Sequence, residues 1–122
     1  MKYVTVLFAA AVILVSCTAS QSVSANNNQI NIKEMVKNPE TTLVDVRIPE
    51  QFAEKTAPNA VNIPLAEIKN NIDFFRKQKN IVIFCNSGKQ AAEAIDILKR
   101  NGVQNAYSAK TLKNVVAIQN EK

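Results

Sequence analysis

An unbroken apolar run, Ile81-Val82-Ile83-Phe84, ends abruptly at Cys85, and a polar turn with a single glycine, Asn86-Ser87-Gly88-Lys89-Gln90, follows it. Two isoleucines and a valine in four positions suit a strand buried on both faces, the kind found inside parallel sheets. Ala91, Ala94, Ile95 and Leu98 then recur at helical spacing, which predicts a helix over Ala91–Arg100. Cys85 therefore belongs where a strand hands over to a helix. Backbone N–H groups are free there, and the helix dipole favours negative charge. Thiols at such positions ionise more readily, and the thiolate is the reactive form. A lone cysteine after an apolar strand is often only a small buried hydrophobe. The neighbours argue otherwise: Gly88 lets the backbone approach a ligand closely, and Lys89 adds a cation.

The same punctuation extends along the chain. Asn31 caps a short helix, Ile32–Lys37, which Asn38-Pro39 stops. Thr42–Val46 reads as a strand, and Pro49 opens a helix through Glu50, Gln51, Phe52 and Ala53. Ala57-Pro58-Asn59 is a turn and Ala60–Ile63 a short strand ended by Pro64. Leu65, Ile68, Ile72 and Phe75 predict an amphipathic helix over Ala66–Arg76. Gly102 caps the Cys85-proximal helix, Ala106-Tyr107 is a weak strand, and Leu112, Val115 and Val116 mark a last helix. Strands alternating with helices imply an α/β fold: a small parallel β-sheet with helices on both faces. Ligands of such sheets bind beyond the carboxyl ends of the strands. Cys85 and Arg47 both lie at such ends.

The first residues carry a different message. Met1-Lys2 precedes an uncharged apolar stretch, Tyr3 to Ser16. It is short of the about 20 residues a spanning helix needs and has the makeup of an export signal. Leu14-Val15-Ser16-Cys17 resembles the lipobox of bacterial lipoproteins, whose cysteine is acylated and becomes the mature N-terminus. That resemblance implies a lipoprotein signal peptide over 1–16, a lipid anchor on Cys17 and a periplasm-facing location. Thr18, where aspartate would resemble an inner-membrane retention signal, points to the outer membrane if the host has one. Residues 17–29, rich in Ser, Asn, Gln and Ala, read as a flexible tether. What remains is one domain over 30–118 and a tail, 119–122. With Cys17 lipidated, Cys85 has no disulfide partner.

Composition removes several functions. The net charge is +5, with basic residues scattered among acidic ones, so a nucleic-acid partner is not expected. A mild positive charge suits small anions or an anionic surface. There is no histidine, which excludes a Cys-His pair and any His-containing metal site. Activation of Cys85 must then come from backbone amides, the helix dipole and a cation, with no cofactor and no metal. Asp45 and Arg47 have two readings: an ion pair that fixes the strand end and the Glu50 helix, or an arginine adding positive potential at Cys85.

Three segments carry a family resemblance. Leu43-Val44-Asp45-Val46-Arg47 with Pro49-Glu50-Gln51-Phe52 looks like the first signature of rhodanese-like domains. Ala57–Pro64 is similar to the second, with Asn59 where glycine is usual, and Ile81–Gln90 resembles the active-site segment. The likeness spans about Ile30 to Val116 and is strongest to small exported single-domain sulfurtransferases of the phage-shock protein E type. It implies a monomeric rhodanese-like domain that moves sulfur from thiosulfate to cyanide or a thiol acceptor through a persulfide on Cys85. Asn86, Ser87, Gly88, Lys89 and Gln90 would bind substrate, mainly through backbone amides, with Lys89 on the sulfonate and Arg47 nearby. Asp45 and Glu50 would be structural. Gln90 stands where many relatives have arginine, Ala109-Lys110 where a Gly-Gly pair is usual, and Val115 where tryptophan is common. A dual-specificity-type phosphatase would need Cys-x5-Arg, and Ala91 occupies that arginine position. Non-catalytic binding modules of the family commonly lack the cysteine. A sulfur carrier serving another exported protein is the remaining alternative.

Overall fold

Four parallel strands form the sheet, in the order β2-β1-β3-β4. The computed structural model describes residues 30–122, so the leader, Cys17 and the tether lie outside the described residues. The elements are α1 (Ile32–Lys37), β1 (Thr41–Asp45), α2 (Pro49–Glu54), β2 (Val61–Asn62), a 3₁₀ helix (Leu65–Asn71), α3 (Ile72–Arg76), β3 (Asn80–Cys85), α4 (Lys89–Arg100), β4 (Ala106–Thr111) and α5 (Leu112–Gln119). After β1 the chain steps outward to β2. It then returns across the sheet, so that β3 pairs with β1 on its other side and β4 lies beyond. The order reverses between β1 and β3, and the crevice at such a switch point is where open α/β sheets bind ligands.

Strand alternation sorts the core into two layers. Ile81, Ile83 and Cys85 of β3 face one side with Val44 and Val46; Ala91, Ala94, Ile95 and Leu98 of α4, with Ile68 and Phe75, cover them. Val82 and Phe84 face the other side, where Leu43, Val36 of α1 and Val115 and Ile118 of α5 close over them. Every side chain from Ile81 to Phe84 is fully buried, as a run bounded by helices on both faces requires.

Three elements depart from their sequence signals. The segment expected as one helix over Ala66–Arg76 is 3₁₀ up to Asn71 and α only afterwards. Asn71 Nδ2 donates to the Glu67 carbonyl at 2.8 Å, occupying the acceptor an α-helical N–H of Asn71 would use. The apolar face survives, with Ile68 and Phe75 completely enclosed. β4 runs to Thr111, far beyond Ala106-Tyr107, with a bulge that shifts its register between Ile83 and Phe84 of β3. α4 begins at Lys89, so Lys89 and Gln90 form its first turn and the loop after Cys85 is only Asn86-Ser87-Gly88.

Gly102 terminates α4 as expected. Its φ is 81°, and Val103 N–H donates to Leu98 C=O while Gly102 N–H donates to Lys99 C=O, a Schellman closure. Nothing lies within 4 Å of where a Cβ would stand. Gly102→Ala therefore isolates the backbone cost of a left-handed non-glycine residue, about 1–2 kcal/mol. Denaturant unfolding should show that loss, and Gly102→Asn a smaller one.

Candidate functional site

At the carboxyl end of β1, Asp45 and Arg47 form a buried ion pair. Arg47 Nη2 lies 2.7 Å from Asp45 Oδ2, Nε reaches Oδ1 at 2.9 Å, and the Arg47 backbone N–H donates to Oδ1 at 3.0 Å. Thr56 Oγ1 donates to Asp45 Oδ2 at 2.9 Å. The guanidinium also donates to the Lys55 carbonyl and, at 3.5 Å, to that of Gln51. These bonds pin the C-terminal end of α2 to the strand. Hydrogen bonding to Asp45 is the main cause that pushes the Arg47 pKa above its ordinary value, against desolvation; the charge of the Asp45 carboxylate adds to it. Of the two readings of Arg47, the geometry carries the ion pair. Glu50 has no part in it: among the described residues its carboxylate makes no hydrogen bond or salt bridge, and α2 is held through main-chain carbonyls instead.

Arg47 nonetheless touches the cysteine loop. Nη1 donates to Asn86 Oδ1 at 3.3 Å, and Asn86 Nδ2 donates to Gln51 Oε1 at 3.3 Å. The Asn86 side chain is thus a strut between α2 and the loop, a larger role than lending an amide.

Cys85 is the last residue of β3, and only 1% of its surface is exposed. Gly88 N–H donates to Sγ at 3.0 Å, which requires the chain to fold back within three residues; Gly88 does so at φ 93°. On the other side, Sγ lies 3.6 Å from the Lys110 carbonyl. Lys110 itself has φ 69°, a conformation its N–H bond to Ser108 Oγ helps hold, and a Cβ on Gly88 would stand 3.3 Å from Lys110 Cβ. Among the described residues the N–H groups of Ser87, Gln90 and Ala91 donate to no protein acceptor. They point to an anion-binding rim at the start of a helix long enough to have a dipole.

A cavity of about 430 Å³ opens at this point, lined by Cys85, Asn86, Ser87, Lys89 and Gln90 from the loop side and by Ile48 and Gln51 from α2. Five of the residues expected to bind or react therefore meet in one space. Gly88 supports the sulfur from within the loop, and Arg47 stands behind Asn86 without lining the cavity. Lys89 is exposed and, among the described residues, carries no ion pair. Sequence reasoning missed Ile48, Gln51 and Thr56. Lys110 was noticed only as a departure from glycine, which was itself the available signal of a left-handed backbone. The site offers a buried thiol, loop amides and one free ammonium, a set able to hold an anion against a nucleophilic sulfur.

The family model for the rhodanese-like domain matches residues 28–111. The chain belongs to the rhodanese-like domain family. It is 36% identical over 74 residues to the thiosulfate sulfurtransferase PspE of Escherichia coli, covering 59% of this chain and 71% of that protein. It is 31% identical over 68 residues to the uncharacterized protein YqhL of Bacillus subtilis, covering 56% of this chain and 54% of that one. A solved structure described as rhodanese with anions from E. coli superposes with a TM-score of 0.55 at 36% identity, covering 61% of this chain and 89% of the other. The single-domain fold with helices on both faces of a parallel sheet agrees with these neighbours.

Removing the Asp45 carboxylate leaves a buried guanidinium with no counter-charge. Asp45→Ala should cost about 3–5 kcal/mol in denaturant unfolding. Glu50→Gln, on the exposed face of the neighbouring helix, should stay within about 0.5 kcal/mol.

Proposed function

We propose that this protein is a thiosulfate sulfurtransferase that works through a persulfide on Cys85. The observation that supports it most is the position of Cys85 Sγ, 3.0 Å from the Gly88 N–H and facing a cavity with Lys89 and unpaired loop amides. The likeness to PspE, which is named a thiosulfate sulfurtransferase, and to a solved structure described as rhodanese with anions agrees with that reading.

The Cys85 thiolate attacks the outer sulfur of thiosulfate. The S–S bond of thiosulfate breaks, and sulfite leaves with the electron pair. The new Cys85–S–S⁻ is a persulfide whose outer sulfur a second nucleophile then attacks. Cyanide leaves as thiocyanate and a thiolate as its own persulfide, and each returns Cys85 to the thiolate. This is covalent catalysis in two half-reactions. Sulfite is a stable leaving group, so neither step calls for a histidine acid or base. Loop N–H groups, fixed before the substrate arrives, hold the negative charge as it moves onto the outer sulfur. Lys89 holds the sulfonate end. The arginine-free, short loop of Asn86 to Gly88 favours this chemistry over phosphate ester hydrolysis.

Mass spectrometry after thiosulfate treatment should find one added sulfur on Cys85, removed by cyanide and absent from Cys85→Ser. A folded protein that gains no sulfur would exclude thiosulfate as donor. Lys89→Ala should raise the thiosulfate KM roughly tenfold, equivalent to about 1.4 kcal/mol, with the acceptor KM much less affected. An unchanged thiosulfate KM would remove Lys89 from the site.

The protein acts, on this reading, in the bacterial envelope, anchored through Cys17 and facing the periplasm. Globomycin treatment of expressing cells should make the unprocessed precursor accumulate; normal processing under the drug would indicate ordinary secretion.

A further inference from the structure

We infer that the cleft between the end of α2 and α5 is the acceptor subsite of the Cys85 cavity, and that it takes a small thiol bearing a carboxylate. The inference rests on the sulfurtransferase reading and extends it to the second substrate. The cleft measures about 480 Å³ and is lined by Lys55, Asn86, Leu112, Lys113 and Val116. Asn86 also lines the cavity of Cys85, so one residue borders both spaces. Arg47 fixes that residue through Asn86 Oδ1 and fixes the opposite rim through the Lys55 carbonyl. A single buried guanidinium thus sets how the two spaces sit relative to each other.

The reaction geometry explains why a second space is needed. Attack on the outer sulfur runs in line with the bond being broken. Sulfite therefore leaves from the place where the acceptor sulfur must enter, and the donor's subsite is empty when the acceptor arrives. The acceptor thiolate forms an S–S bond with the outer persulfide sulfur, and the bond to Cys85 Sγ breaks, leaving its electron pair on Cys85. Only the acceptor's sulfur occupies the former sulfite position, so its body must extend into adjoining space. The adjoining cleft offers Leu112 and Val116, one turn apart on α5 and half-buried, as a floor for a methylene stem. Two ammonium groups, Lys55 and Lys113, stand at its rim, both exposed, and no acidic side chain lines either space. An apolar stem ending in an anion matches that lining; an alcohol or an amine does not.

Turnover of the full chain with thiosulfate as donor should be compared for 3-mercaptopropionate, 2-mercaptoethanol and cysteamine, each corrected for its thiolate fraction. The carboxylate thiol should have a kcat/KM about tenfold above that of the alcohol, and the amine should be poorest. The preference should shrink with added salt, as interactions between exposed charges do. In Lys55→Ala/Lys113→Ala it should fall to within about twofold. Equal kcat/KM for the three thiols, or a preference that persists in the double variant, would overturn the inference. Should thiosulfate load no sulfur onto Cys85, the sulfurtransferase reading fails on its own. The cleft is still tested by titrating the protein with the unreactive 3-(methylthio)propionate. Shifts in the Leu112 and Val116 methyl resonances, lost in the double variant, support the subsite, and their absence overturns it.

Discussion

The Arg47–Asp45 pair holds the region around Cys85 together. Two residues at the end of one strand place a planar five-donor group under the switch point of the sheet. Its donors go to the strand (Asp45), to α2 and its C-cap (the Gln51 and Lys55 carbonyls) and to the cysteine loop (Asn86). A lysine would supply a charge but not this fork, because its donors radiate from one point. A buried pair of this kind adds little net stability, since desolvating both ions offsets most of their attraction. Its value here is geometric. It makes the position of α2, which has no buried residue of its own, depend on the same group that positions the loop.

That arrangement changes how the sulfur is to be understood. Cys85 follows four fully buried strand residues, Ile81 to Phe84, and its own side chain is almost as enclosed. Taken alone, that is the environment of an inert packing cysteine. The difference lies in the three residues after it. Gly88 turns an N–H back onto Sγ, and the first turn of α4 leaves amides unpaired around it. Burial excludes water, so those few dipoles act at low screening on whatever charge forms there. Enclosure and reactivity are compatible because the polar partners are backbone groups, already ordered by the strand and helix they terminate.

Much of this was legible from spacing. The apolar run, the glycine three residues past the cysteine and the helical recurrence of Ala91, Ala94, Ile95 and Leu98 placed Cys85 at the strand end ahead of its helix. Residue-type signals were less reliable where a side chain competes with the backbone, as Asn71 does in the 3₁₀ segment, and where pairing alone defines a strand, as in the bulged end of β4. Lys89 and Gln90 look like loop because they are polar, yet Gly88 is already the N-cap. The acceptors of Arg47 had no sequence signature at all. Main-chain carbonyls of Gln51 and Lys55 are available in any sequence, and only the fold brings them to the guanidinium.

Two departures from the usual glycines sharpen the point about backbone control. Asn59 and Lys110 both stand where the family resemblance leads one to expect glycine, and both have a left-handed conformation, at φ 67° and 69°. Asparagine tolerates that region because its short amide can bond locally. Lysine has no such compensation and bears a cost of about 1–2 kcal/mol. The bulge next to it and the Ser108 hydroxyl hold it there, and the result is a carbonyl 3.6 Å from Cys85 Sγ. The backbone path around the sulfur is thus kept while the side chains on it differ. The amide and the carbonyl that meet Sγ belong to the main chain, so they do not depend on the side chains at Lys110, Gln90 or Val115. Of the three, Gln90 lines the cavity beside Cys85, whereas Val115 is fully buried against the sheet and lines neither space.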